Sequence, residues 1–175
     1  MSTPRHLSAA SALLFLSTAA LAETPDLGRP ATPEEIAIWD VSIGPDGAGL
    51  PPGSGTPQQG ETVYTAKCLP CHGEKGSGKP NDQLVGGLGA LTGDQTPVKT
   101  VGSFWPYATT LFDYVRRAMP FNAPRSLSNV EAYAVCAYSL QLNGIIAEST
   151  AMNAQTLAKV QMPNRDGFVP FSRQK

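Results

Sequence analysis

Histidine is almost absent from this chain, with two in 175 residues, His6 and His72. Charge is scarce as well. Asp, Glu, Lys and Arg make up 15% of the chain, against the roughly 25% usual for soluble domains. The 13 basic and 14 acidic residues leave a net charge of -1. That excludes the basic footprint of a nucleic-acid binder and an acidic disordered tail. The 3 cysteines are an odd number, so at least one thiol stands outside any pairing within the chain. Alternating runs of β-branched residues, internal repeats and low-complexity tracts are all missing. No uncharged apolar run reaches the ~20 residues that cross a bilayer. What the chain has in quantity is glycine (17) and proline (16), with 41% hydrophobic residues, enough for a packed core. The length fits one domain with some extended chain around it.

Residues 1–22 read as a cleavable signal peptide, with a retained anchor as the rival reading. Arg5 and His6 form a short polar start, Leu7 to Leu21 carries no charge, and Ala20-Leu21-Ala22 is an A-x-A cleavage site. No cysteine lies near that point, which leaves lipoprotein processing without support. The expected location is periplasmic, with no membrane span in the mature chain. Losing Arg5 leaves 12 basic against 14 acidic residues, and losing His6 leaves His72 as the last histidine.

Residues 23–56 are rich in Pro and Gly and read as an N-terminal arm. Thr32, Pro33 and Glu35 give a cap, a first-turn proline and a capping box for one short helix. Ile36 and Trp39 share a face of it, and Trp39 is expected to lay the arm on the core. Thr56-Pro57-Gln58-Gln59 starts a second helix, running to about Lys67. Gly76 to Gly102 is loop-like. A third helix spans Pro106 to Met119, with Leu111, Phe112, Val115 and Ala118 at helical spacing, and Pro120 ends it. Ser128 to Glu131 caps a fourth, whose stripe is Val130, Tyr133, Ala134, Ala137, Tyr138 and Leu140, closed by Asn143-Gly144. Residues 147–175 form a C-terminal arm, with a short helix over Ala151 to Val160. The expected architecture is a small all-α domain over 57–146 between two arms.

Chemistry concentrates in Cys68-Leu69-Pro70-Cys71-His72, a C-x-x-C-H sequence. This is the attachment signature of c-type haem. Two thiols add across the haem vinyl groups, and the adjacent histidine supplies the proximal nitrogen to iron. Rival uses of the pair fit less well. A thioredoxin-like dithiol expects a βαβ context. Zinc needs four ligands, and only Cys68, Cys71, Cys136 and His72 are on offer. One motif means one haem. With no second histidine in the mature chain, the sixth ligand falls to methionine, as in Met/His cytochromes c. Met119, Met152 and Met162 are the candidates. Met119, just before Pro120, is preferred, with Met162 or an open site as the alternatives. Cys136, within the stripe of the fourth helix, reads as a small buried hydrophobe. Lys67, Lys75 and Lys79 bracket the motif as a candidate docking rim. Gly86-Gly87-Leu88-Gly89 is expected to approach the haem closely.

A helix, C-x-x-C-H, a later Met-Pro and a last helix carrying Tyr138 together resemble class I cytochromes c over roughly 57–146. The resemblance implies that fold, about four helices around one covalent haem. It implies a close crossing of the first and last helices, with Gly60 and Tyr138 at the contact. It also implies a proline after the motif, here Pro80, whose carbonyl takes the histidine N–H. Trp105, Tyr107 and Arg117 match the kinds of residue that hold haem propionates in the family. The runs Thr100 to Tyr114, Arg116-Arg117-Ala118-Met119-Pro120 and Met162 to Phe168 resemble the cytochrome subunit of molybdenum-containing sulfane or sulfite dehydrogenases in sulfur-oxidising bacteria. Many of those subunits carry two haems, whereas this chain has one attachment motif. The implied role is single-electron transfer from such a molybdoenzyme to a downstream cytochrome c or oxidase. The alternative is a haem enzyme, a peroxidase or thiosulfate-converting cytochrome, with a labile sixth ligand.

Overall fold

The computed structural model describes residues 27–92 and 96–169, so the leader expected over 1–22 lies outside the described residues. In chain order the elements are α1 (Pro33–Trp39), β1 (Ser54–Gly55), α2 (Pro57–Lys67), α3 (Leu69–His72), a single 3-10 turn (Glu74–Gly76), α4 (Ala108–Ala118), α5 (Asn129–Leu142), β2 (Met152–Asn153) and α6 (Ala154–Leu157). Capping boxes open α1, α2 and α5, formed by Thr32 with Glu35, Thr56 with Gln59 and Ser128 with Glu131. Each hydroxyl accepts an N–H that the first helical turn leaves without a partner, worth about 1 kcal/mol.

The middle of the molecule is α5. Its residues from Ala132 to Leu140 are buried without a break. The single stripe read from the sequence was too narrow, and Val130 within it is 48% exposed. A helix that is apolar all round belongs in the interior, and α5 serves two clusters. Tyr133, Cys136, Ala137 and Leu140 pack with Phe112 of α4, the Phe112 and Tyr133 rings 4.3 Å apart. Val135 and Tyr138 pack with Tyr64 of α2, the two tyrosine rings 5.4 Å apart. The crossing of α2 on α5 is set by Gly60. A Cβ there would lie 2.6 Å from Ala134 C and 2.7 Å from Tyr138 Cβ. Only hydrogen fits between the two backbones.

Both arms contribute to the core. Ile43 comes from the N-terminal arm, and Met152, Leu157, Val160 and Met162 from the C-terminal one. Tyr133 Oη donates to Pro51 O at 2.9 Å, and Thr109 Oγ1 donates to Pro45 O at 3.2 Å. At the other end Asn164 Nδ2 donates to Phe104 O at 2.8 Å. The arms meet in an antiparallel ribbon, Ser54 opposite Asn153 and Gly55 opposite Met152. The sequence shows no strand signal there, because two residues are too few to carry a pattern. Trp39 does not anchor the arm and is 80% exposed. Ile43 takes that role, and α1 stands outboard with no buried residue. The helix expected over Ala151 to Val160 shrinks to α6, because Met152 and Asn153 are drawn into the ribbon. Among the described residues no helix is long and apolar enough to cross a membrane.

Candidate functional site

The last turn of α2 delivers the motif. The Cys68 N–H donates to Tyr64 O at 2.8 Å and caps α2, and Cys68 O then accepts the N–H groups of Cys71 (3.1 Å) and His72 (2.9 Å) in α3. Gly73 stops this turn at φ 71, where a Cβ would lie 2.6 Å from Gly78 O. Tyr64 Oη donates to Gly73 O at 2.8 Å, tying the end of the motif back to α2. Both motif thiols are free. Burial pushes the Cys68 thiol up to about 11, with Lys67 opposing, so it is protonated at neutral pH.

His72 Nδ1 lies 2.9 Å from Asp82 O. The carbonyl that orients the imidazole therefore belongs to Asp82 and not to Pro80. The Lys79 N–H bonds to Asn81 O and the Asn81 N–H to Cys71 O, at 2.8 and 2.9 Å, curling the chain so that Asp82 O reaches the ring. With Nδ1 donating, Nε2 keeps the free lone pair.

Met119 follows directly on the last residue of α4, as its C-cap. Its N–H still donates to Val115 O at 3.1 Å, but its backbone is extended at φ -116, ψ 146, and Pro120 prevents another turn. Cys68, Cys71, His72 and Met119 all line one cavity of about 470 Å³, with Leu84, Val101, Leu111, Val115, Leu127 and Val135 among its apolar walls. Met152 and Met162 lie elsewhere, in the core at 2% and 3% exposure. Of the three candidate methionines, Met119 alone is on the cavity wall.

The remaining site expectations divide. Trp105 lines the cavity, its ring centroid 5.6 Å from that of Tyr114, which also lines it. Tyr107 does not. It occupies the N-cap position of α4, and its ring carries the Arg165 guanidinium 5.0 Å from its centroid. Arg117 is also off the wall. It lies 200° around α4 from wall residue Val115, and it is ion-paired with the buried Asp113 one turn earlier. The positive group the sequence reading missed is Lys99, which lines the cavity from a loop where no periodicity flags it. Lys67 also reaches the wall, but its amine is held by Glu131 at 2.7 Å. The glycines of Gly86-Gly87-Leu88-Gly89 are not on the wall. Gly86 instead accepts from Thr100 Oγ1 and donates to Asn143 Oδ1.

A chain in the crystal structure of the sulfane dehydrogenase SoxCD from Paracoccus pantotrophus superposes with a TM-score of 0.81 at 42% identity, covering 87% of this chain and 75% of that one. The family model described as cytochrome C oxidase, cbb3-type, subunit III matches residues 55–138. The chain belongs to the cytochrome c family. Thiosulfate dehydrogenase of Psychrobacter arcticus is 31% identical over 83 residues, 47% of this cytochrome. The match spans 25% of that curated relative's length.

Membership implies covalently bound haem c, and the residues present fit it. Two free thiols stand with two residues between them, beside an imidazole with one nitrogen fixed. A thioether shares the same cavity, whose volume is within the ~300–1,000 Å³ of cofactor sites. A zinc centre lacks the donors. Cys136 is fully buried in the helical core, its thiol pushed up by burial. No group of three or more His, Cys, Asp or Glu able to hold a metal ion occurs among the described residues.

Proposed function

We propose that this cytochrome is a periplasmic, single-haem electron carrier. It accepts electrons from a molybdenum-containing sulfane or sulfite dehydrogenase and passes them to a downstream cytochrome c or oxidase. The observation that carries the reading is the gathering of Cys68, Cys71, His72 and Met119 on one apolar cavity. Likeness to the SoxCD chain supports the sulfur-oxidising donor.

In this reading residues 1–22 direct export, 57–146 house the haem, and the arms 23–56 and 147–175 brace them. Bound haem supplies a one-electron iron couple. The chain's residues set how it works. Cys68 and Cys71 would hold the ring through thioether bonds. His72 would hold the iron through Nε2, while Asp82 O fixes its other nitrogen and so raises the basicity of the ligand. Met119, on the wall of the same cavity, would supply the second protein ligand, and its soft sulfur would favour the reduced metal. Leu111, Val115, Val101 and Val135 exclude water. Trp105 and Lys99, both on the cavity wall, would offer an N–H and a charge to the carboxylates of the group, which are costly to bury unpaired. Met119 on the wall also argues against a haem enzyme with an open iron site.

The test is reduction of purified holo-cytochrome by sulfite or thiosulfate, followed by haem absorbance. Reduction is expected only when the source organism's dehydrogenase is added. Reduction by substrate alone, or tight cyanide binding to the oxidised protein, overturns the reading.

A further inference from the structure

Helix α1 is a formed structure that buries none of its residues against the rest of the described chain. Seven residues are too few for a helix to persist in water unaided. This one is held by its capping box and by a fork from Arg29, whose two nitrogens meet the Glu35 carboxylate at 2.8 and 2.6 Å. None of its residues is buried, and Ile36, Ile38 and Trp39 are exposed by 52%, 59% and 80%. Arg29, Ala31, Glu35, Ile36, Trp39 and Asp40 line a shallow concave surface, apolar within and charged at its rim. That is the anatomy of a protein–protein contact, and tryptophan is the residue most enriched at its energetic centre.

We infer that α1 is the docking element for the dehydrogenase's catalytic subunit, with Trp39 as the anchor. The inference rests on the electron-carrier reading above. The extent of the structural match selects the occupant. A match covering 87% of 175 residues is far longer than the haem domain over 57–146, so it takes in most of the flanking chain as well. The counterpart therefore shares flanking chain with this cytochrome beyond the haem domain, and it does so within a dehydrogenase. The haem domain itself does not engage α1, since the arm is anchored to the core at Ile43 and α1 stands clear of it. The fork and capping box preform α1, which lowers the ordering cost of binding.

The experiment uses the full-length holo-cytochrome and the dehydrogenase that reduces it in the assay above. Trp39→Ala, at an exposed position, should weaken binding by about 30-fold, the loss expected of a hot-spot tryptophan. Ile36→Ser should weaken it less, and both variants should keep the wild-type haem spectrum and melting temperature. Electron transfer at saturating cytochrome should be unchanged, because the defect is in docking. Wild-type reduction with equal affinity for the Trp39 variant overturns the inference and leaves the electron-carrier reading standing. Failure of every dehydrogenase to reduce the wild type removes that reading, and this inference with it. A cytochrome dimer in sedimentation that Trp39→Ala converts to monomer makes the occupant a second copy, and also overturns the inference.

Discussion

Replacing Gly60 by alanine isolates the contact on which the whole helical arrangement turns. The added methyl would sit 2.6 Å from Ala134 C and 2.7 Å from Tyr138 Cβ, and closer still to the Ala134 carbonyl oxygen. Ordinary contacts between carbon and a carbonyl oxygen start near ~3.3 Å, so α2 and α5 would have to part by about an ångström. Nothing on α5 gives way, since it is buried on every side from Ala132 to Leu140. Overpacking of this kind costs about 1–3 kcal/mol, occasionally more, and a backbone-on-backbone clash belongs at the upper end. Against it stands the better helix propensity of alanine, about 1 kcal/mol. The net expectation is a loss of about 2 kcal/mol, or roughly 4–8 °C in melting temperature for a domain of this size. Urea unfolding of the holo-protein followed by far-UV dichroism measures it, with the slope against denaturant unchanged. Gly144→Ala is the control. Gly144 lies at φ 68, and a Cβ added there would meet nothing within 4 Å, so it should lose only about 1 kcal/mol, from backbone strain. A Gly60→Ala variant as stable as wild type, or no worse than the control, would refute the account of the crossing.

Met119→Ala should abolish the long-wavelength charge-transfer band of a Met-ligated oxidised haem. Met162→Ala should keep the band while losing about 2–5 kcal/mol of stability from the core, and the opposite pattern would exchange their roles. Glu131 is held at about 2 by the Lys67 ammonium and the Ser128 amide. Its folded-state value is depressed, so its contribution is complete above the ordinary carboxylate range and fades as pH falls toward 2. Glu131→Ala should cost about 1–2 kcal/mol at pH 7, from the lost cap and ion pair, and the difference from wild type in thermal melts should shrink through that acid window. Tyr64→Phe should lose about 1 kcal/mol with the bond to Gly73 O, read by urea unfolding.

Local rules made much of this molecule legible. Thr56-Pro57-Gln58-Gln59 and Ser128 to Glu131 announce their helix starts, because a capping box is complete within four residues. Cys68 to His72 announces its chemistry because covalent attachment demands contiguous residues. What stayed hidden depends on contacts across the chain. Asp82 supplies its backbone carbonyl, and a carbonyl has no signature in a side-chain alphabet. Lys99 reaches the cavity from a loop. Arg117 looked available until Asp113, one turn away, took its charge. Trp39 looked like a core residue because its hydrophobicity is visible in the sequence and its exposure is not.

The ribbon of Ser54–Gly55 with Met152–Asn153 has a consequence for how the molecule assembles. It joins positions about 100 residues apart, and closing a loop of that length costs about 4 kcal/mol of chain entropy before any contact offsets it. Two residue pairs cannot supply that alone. The helices and their local turns must gather first, shortening the effective loop, so the ribbon closes late. It is then a seam that joins the two arms over α5, and stretching the protein by its termini would reach it only after the contacts of Ile43, Met162 and Asn164 outside it had given way.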